Sequence, residues 1–133
     1  MANVTEKRSD VELLPCSFKF HDFTAKVSDV NINCQIIKME DCLYLWIGDS
    51  ANRIMGDLSF ALASNLERQQ PIATKIMGSV ADATSMNMAK RLSMKFGKPI
   101  YVSFNITADN IVLPGIERRI QEEFKTHADL LSF

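Results

Sequence analysis

Leu43-Tyr44-Leu45-Trp46-Ile47-Gly48 is the stretch that decides the fold of this chain. It carries no charge and is too short for a helix, so it is typical of a β-strand that is covered on both sides. Because side chains alternate across a strand, the two leucines and the isoleucine point one way, and Tyr44 and Trp46 point the other way. The sequence therefore predicts a sheet whose two faces both need cover at this strand.

Two further strands are predicted on the N-terminal side of this stretch. Residues 18–27 indicate a strand with a bulge or break near His21-Asp22, where the parity of the apolar residues changes. From Val30 to Ile36 the alternation is regular, with the apolar residues on one face. The short turn Glu40-Asp41 then leads into the Leu43 strand and makes a hairpin.

Three strands are predicted on its C-terminal side, around residues 58–62, 72–76 and 100–106. In the first of them, Leu58, Phe60 and Leu62 are assigned to the buried side. A helix over residues 55–66 is the competing interpretation, since alanine and leucine favour helices. The period of two residues and the presence of Gly56 favour the strand.

Two helices are predicted late in the chain. The first is capped by Asp82 or Ser79 and runs to about Phe96, with Gly97 just past its end. Pro114 lies in the first turn of the second, where a missing N–H costs nothing. The predicted buried stripes are Ser85, Met88, Ala89, Leu92 and Phe96 on the first helix, and Leu113, Ile116, Ile120 and Phe124 on the second. The predicted solvated face of the second helix is Glu117, Arg118, Arg119, Glu122 and Glu123.

This order of elements indicates an α+β fold, with a mostly antiparallel sheet of about six strands and two helices packed on one face. Residues 1–16 are predicted to be a flexible N-terminal tail, and residues 17–133 a single domain.

The second face of the sheet is the first candidate site. It is predicted to carry Tyr44, Trp46, Ala61, Ala73, Lys75, Tyr101 and Ser103. This mixture is too apolar for open water and too polar for a sealed core, so a partner subunit is the natural cover. The alternative is a curled sheet that hides the aromatic residues itself. Within this face, the residues predicted to form a dimer interface are Tyr44, Trp46, Lys75 and Tyr101.

The first helix provides a second candidate surface. Met86, Lys90, Arg91 and Met94 lie off its apolar stripe. Exposed methionines with basic neighbours can form an adaptable contact surface for a further partner. Isolated exposed methionines are also common without any function.

Composition excludes several classes of function. Apolar residues make up 47% and charged residues 23% of the chain, and the net charge is −1, so a general nucleic-acid binder is not expected. The three cysteines have no metal-binding spacing and suit a cytoplasmic or nuclear protein with reduced thiols. No segment approaches the roughly 20 apolar residues that cross a bilayer, and no secretory signal is expected.

No catalytic constellation is evident either. His21, beside Asp22, and His127 are the two imidazoles of the chain, and no nucleophile motif accompanies them. We therefore predict no catalytic, cofactor-binding or metal-binding residues and no small-molecule substrate.

The order of short motifs resembles one family, that of proteasome assembly chaperone 4. The resemblance covers roughly residues 21–124 and is most specific in the first stretch quoted above and in the stretches 71–78 and 82–85. The segments that carry it are His21-Asp22-Phe23-Thr24-Ala25, Leu43-Tyr44-Leu45-Trp46-Ile47-Gly48, Pro71-Ile72-Ala73-Thr74-Lys75-Ile76-Met77-Gly78, Asp82-Ala83-Thr84-Ser85, Ala89-Lys90-Arg91-Leu92, Tyr101-Val102-Ser103-Phe104-Asn105 and Glu117-Arg118-Arg119-Ile120-Gln121-Glu122-Glu123. Pro114-Gly115 departs from the more regular helix start of the family.

The resemblance implies a non-enzymatic chaperone without cofactors. Its implied partner is the third proteasome assembly chaperone, with which it would form a heterodimer of similar folds. The pair would help the α-type subunits of the 20S core particle to assemble into their ring and would leave before the particle matures. Two competing classes stay open, namely a generic dimeric adaptor unrelated to the proteasome and a small enzyme built on His21.

Overall fold

A computed structural model describes residues 10–63 and 70–133 of the chain. Within these residues the elements are β1 (Lys19–Val27), β2 (Val30–Lys38), β3 (Leu43–Gly48), β4 (Leu58–Leu62), β5 (Ile72–Met77), α1 (Thr84–Phe96), β6 (Ile100–Phe104), α2 (Leu113–Thr126) and α3 (Ala128–Leu131). The predicted strand at residues 58–62 is confirmed, and the end of its rival helix, residues 64–66, lies outside the described residues. So do positions 1–9 of the predicted tail.

The six strands form one sheet in the order β1-β2-β3-β6-β4-β5. Neighbouring strands are antiparallel except for the central pair of β3 and β6, which is parallel. The predicted α+β class and mostly antiparallel sheet are therefore confirmed. None of the helices described here is both long and apolar enough to span a bilayer.

The core lies between the sheet and the two long helices, which pack on the same face. α1 covers β4, β5 and β6, and α2 covers β1. The residues buried between the layers include Ile32, Ile36, Leu43, Leu45, Ile47, Ile100 and Val102 from the sheet, and Met88, Leu92, Ile116, Ile120 and Phe124 from the helices. Each such side chain contributes about 1.5–3 kcal/mol when fully buried, so this layer supplies most of the drive for folding.

The end of α1 follows the predicted signal, but the predicted cap by Asp82 or Ser79 is wrong. The N-cap residue of α1 is Ala83, which makes no side-chain cap hydrogen bond, and the Asp82 carboxylate accepts the backbone N–H of Thr84 at 3.0 Å from one residue earlier in the chain. Gly97 ends α1 in the left-handed region with a φ of 65°. Pro114 lies in the first turn of α2 as predicted. A Cβ atom at Gly115 would lie 2.8 Å from the Cγ1 atom of Val27, so the glycine lets α2 approach β1 closely. This contact gives a physical reason for Gly115 in the first turn of α2.

Two predictions about β1 and α2 are wrong. β1 pairs with β2 without interruption from Lys19 opposite Lys38 to Val27 opposite Val30, so the predicted bulge near His21-Asp22 is absent from this ladder. His21 contacts α2 from the helix side of the sheet, and Glu123, which was predicted to be solvated, is buried there. The alternation of apolar residues in β1 was misleading because His21, which has a carboxylate partner, lies on the buried side of the strand.

Candidate partner-binding surface

A row of large side chains crosses the face of the sheet that the helices leave open. Phe20 lies opposite Ile37, Ile37 opposite Tyr44, Tyr44 beside Tyr101, and Tyr101 opposite Phe60. The rings of Phe60 and Tyr101 are 4.7 Å apart between centroids. Cross-strand pairs of this kind stabilise a sheet, and here they also create a continuous apolar surface over five strands. We call this surface the open face.

The β4–β5 end of the open face is the most exposed. Leu62 lies opposite Ile72 there, and Ile72 is 67% exposed. Ile76, on the same side of β5, is another exposed large apolar residue. β5 is an edge strand of the sheet. An uncovered edge strand with exposed apolar residues is a typical place for a partner to bind, so this end of the open face is the candidate partner-binding surface.

The middle of the open face is partly covered by the loop of residues 49–57. The indole N–H of Trp46 donates a hydrogen bond to the backbone oxygen of Ile54 at 2.9 Å, and the hydroxyl of Tyr44 donates to the sulfur of Met55 at 3.4 Å. A groove of about 570 Å³ remains between this loop and strands β1 and β2. The loop, and not a curled sheet, therefore covers the region around Trp46, while the β4–β5 end stays open.

Three of the four predicted dimer residues lie where the sequence placed them. Tyr44, Trp46 and Tyr101 are on the open face and half-buried. Their role in an interface stays a prediction.

The predicted placement of Lys75 is wrong, as is that of Ala61 and Ala73. These residues lie on the helix side of the sheet, where Ala61 pairs with Ala73 and Lys75 pairs with Ser59. The Lys75 side chain is 7% exposed and forms an ion pair with Asp57. The prediction assigned the two faces of β4 the wrong way round. The small residues Ser59 and Ala61 face the helix, which lets α1 pack closely, while Phe60 faces outward.

The second candidate surface lies on α1, and one of its four residues, Arg91, is already engaged in an ion pair. Met94 is 62% exposed, and Met86 and Lys90 are half-buried. Arg91 holds the carboxylate of Glu117 on α2, with its Nε atom 2.7 and 2.9 Å from the two oxygens. This hydrogen bonding raises the pKa of Arg91 above its ordinary value. Arg91 therefore joins the two helices, and a partner would meet Met86, Lys90 and Met94 first.

A third cluster was missed by the sequence reasoning. The Nε2 atom of His21 lies 2.6 Å and the Nδ1 atom of His127 lies 3.2 Å from the same oxygen of Glu123. Arg119 contacts the other oxygen at 2.7 Å. Burial alone would raise the pKa of Glu123, but the hydrogen bonds of His21 and Arg119 outweigh it and hold the pKa below its usual value. The spacing of Glu123 and His127 by four residues in a helix was the available signal.

The match to a family model decides the family of this chain. Residues 31–106 match the model described as proteasome assembly chaperone 4. The chain belongs to this family. The matched residues span β2 to β6 and include α1, so they contain the centre of the open face and the second candidate surface.

Individual relatives of this chaperone family agree. The chain is similar to proteasome assembly chaperone 4 of Mus musculus, with 32% identity over 108 residues that cover 80% of this chain and 85% of the relative. The same protein of Homo sapiens is 31% identical over 107 residues, which cover 79% and 84% of the two chains. The resemblance predicted from the sequence is therefore confirmed.

A solved structure supports the fold. A chain of the yeast structure described as a novel chaperone complex for 20S proteasome assembly matches with a TM-score of 0.56. The match covers 87% of this chain and 96% of that chain, at 15% sequence identity. At this identity the likeness shows the shared fold. His21, Glu123 and His127 lie outside the residues that the family model matches.

Proposed function

We propose that this member of the proteasome assembly chaperone 4 family is a non-enzymatic assembly chaperone of the cytoplasm and nucleus. It forms a heterodimer with the third proteasome assembly chaperone and promotes assembly of the α-ring of the 20S proteasome. The observation that carries the proposal is the open face, whose β4–β5 end exposes apolar side chains on an edge strand. Membership of a proteasome assembly chaperone family supports a role in proteasome assembly, and the third chaperone as the partner is part of the proposal.

The open face is suited to a dimer of two similar sheets. Its row of aromatic and aliphatic side chains provides the buried centre that a stable interface needs. β4 and β5 add Leu58, Phe60, Leu62, Ile72, Thr74 and Ile76, a set without charge. A partner that covers them avoids the cost of burying unpaired charges.

The proposal is tested by co-expressing this chain with the third chaperone and measuring the mass of the product by size-exclusion chromatography with light scattering. A one-to-one complex that then captures α-type subunits is the expected result. A stable homodimer that ignores both partners would support the generic adaptor instead and would contradict the proposal.

The substitution Ile72→Lys should weaken the heterodimer by about 30-fold or more, because a buried interface anchor contributes about 2 kcal/mol or more. Ile72 is largely exposed in the free chain, so the variant should fold normally. The measurement is a binding titration with the purified partner.

Met94→Lys is the matched control for this variant, since it makes the same change at an equally exposed position on α1. It should change the affinity for the partner by less than about twofold. Equal losses in both variants would show that the open face is not the dimer interface.

A second prediction concerns the surface of Met86, Lys90 and Met94. The double variant Lys90→Glu/Met94→Ala should leave the heterodimer intact and lower capture of α-type subunits by about tenfold, corresponding to about 1.4 kcal/mol of contact energy. It spares the ion pair of Arg91 with Glu117. The measurement is a pull-down of α-type subunits on the purified heterodimer.

Lys125→Glu makes the same charge reversal at an exposed position near the end of α2 and serves as the control. Capture that is unchanged in the double variant, or equally reduced in the control, would remove this surface from the proposal.

A further inference from the structure

The cluster of His21, Glu123 and His127 plays no part in the proposed chaperone function. We propose that these three residues form a binding site for one transition-metal cation of the zinc type. Each offers one ligand atom, and the three atoms lie within 4.8 Å of one another. The site joins β1, the last turn of α2 and the residue between α2 and α3.

The distances suit a shared ion. Zinc lies about 2.0–2.2 Å from nitrogen and oxygen ligands, so neighbouring ligand atoms around a tetrahedral zinc are about 3.4 Å apart. One oxygen of Glu123 is already 2.6 Å from the His21 nitrogen and 3.2 Å from that of His127. To bind an ion, the Glu123 oxygen would move away from the His21 nitrogen until the three ligand atoms reach this spacing.

The carboxylate is held in the orientation that such a site needs. Arg119 contacts Oε1 of Glu123 at 2.7 Å, so the Oε2 atom faces the two histidine rings. Outer contacts of this kind fix ligand geometry in metal sites. The guanidinium also places a positive charge nearby, which lowers the affinity for a cation without removing the ligands.

Both histidine rings are also held in place. His21 is fixed by the β1–β2 ladder, opposite Ile36, and its ring lies 4.2 Å from that of His127 between centroids. The backbone of His127 is fixed by its N–H, which donates to the backbone oxygen of Glu123 at 3.0 Å. The elements therefore position the ligands before any ion binds, and binding requires little rearrangement.

The donor set points to zinc-type ions. Two imidazoles and one carboxylate suit zinc, copper or nickel, and they leave a fourth position for water. Cys34, on the neighbouring strand, is not one of the residues whose ligand atoms lie within 4.8 Å of one another. The side chains of Glu123 and His127 are 8% and 37% exposed, so the site is open to solvent on the His127 side.

Such a site would act as a clamp. α2 and α3 follow the last strand of the sheet, and the cluster connects their junction to β1 at the edge of the sheet. An ion shared by β1 and this junction would stabilise the folded state, because it binds the assembled cluster and not the separated residues.

The test is a titration of the reduced, chelator-treated full chain with Zn²⁺ in competition with a chromogenic chelator. One ion per chain should bind and should raise the thermal unfolding temperature. Co²⁺ at the same site should give the visible absorption bands of a tetrahedral complex. The variant His127→Gln should weaken Zn²⁺ binding by at least roughly 100-fold, since even outer contacts are worth 10- to 100-fold.

Cys16→Ser is the control, because Cys16 is an exposed thiol outside the cluster and a rival ligand. It should bind Zn²⁺ as tightly as the unaltered chain. His127 is partly exposed, so His127→Gln should keep the fold, which far-ultraviolet circular dichroism checks. Absence of binding, or binding that survives His127→Gln and disappears in Cys16→Ser, would overturn the proposal.

Discussion

Lys75→Met is expected to lower the free energy of unfolding by about 3–5 kcal/mol, the usual cost of removing one partner of a buried ion pair. The Lys75 ammonium is bound by the Asp57 carboxylate and donates to the hydroxyl of Ser85 at 3.2 Å. The same carboxylate accepts the backbone N–H of Phe104 at 3.1 Å. These contacts join the residue before β4 to β5, β6 and α1, so the variant leaves the Asp57 carboxylate, which is 14% exposed, without its cation. Chemical unfolding followed by circular dichroism measures the loss.

Two further variants isolate the charge as the cause. Asp57→Asn combined with Lys75→Met removes both charges but keeps an oxygen for the Phe104 N–H, so it should recover much of the lost stability. Asp41→Asn removes a carboxylate at an exposed turn and should cost less than about 0.5 kcal/mol. A double variant no more stable than Lys75→Met alone would show that the loss comes from packing and not from the unpaired charge.

Gly48→Ala is expected to destabilise the chain by about 1–3 kcal/mol, because it overpacks a filled site. A Cβ atom at Gly48 would lie 2.3 Å from the Cη2 and Cζ2 atoms of Trp46. The indole ring must therefore move, and its hydrogen bond to the backbone of Ile54 is lost with it. Trp46 is the single tryptophan of the chain, so a shift of its fluorescence emission reports the displacement directly.

Gly56→Ala is the matched control for this substitution. Nothing lies within 4 Å of a Cβ atom at Gly56, and its backbone N–H remains available to Asn105. It should change neither the emission maximum nor the stability by more than about 0.5 kcal/mol. Unchanged tryptophan emission in Gly48→Ala would contradict the packing of the ring against this glycine.

The fold was largely predictable because periodicity reports burial directly. The strand at Leu43, the alternation from Val30 and the stripe of α1 each place apolar residues on one side. The structure buries these residues there, except that Val30 and Phe96 are only partly buried. The same alternation predicted that Tyr44 and Tyr101 point to the other side of the sheet, and both lie on the open face.

The errors arose where side-chain size or a distant partner overrides apolar parity. In β4 the smaller residues Ser59 and Ala61 face α1, because a closely packed helix leaves no room for Phe60. Lys75 is inward because Asp57 neutralises it, and His21 is inward because Glu123, 102 residues later, binds it. A single sequence carries no signal for such distant pairs. The faces of β4 and β5 were therefore assigned the wrong way round, and the exposed end of the open face could not be located from the sequence.

The central place of β6 has a consequence for synthesis on the ribosome. β1, β2 and β3 form one local meander and β4 and β5 one local hairpin, and β6 joins them by pairing with β3 on one side and β4 on the other. β6 is the last strand to leave the ribosome, so both halves first exist with unpaired inner edges. A nascent chain from which β6 has not yet emerged would therefore hold two unjoined pieces, and the open face would become continuous only after Phe104 has left the exit tunnel.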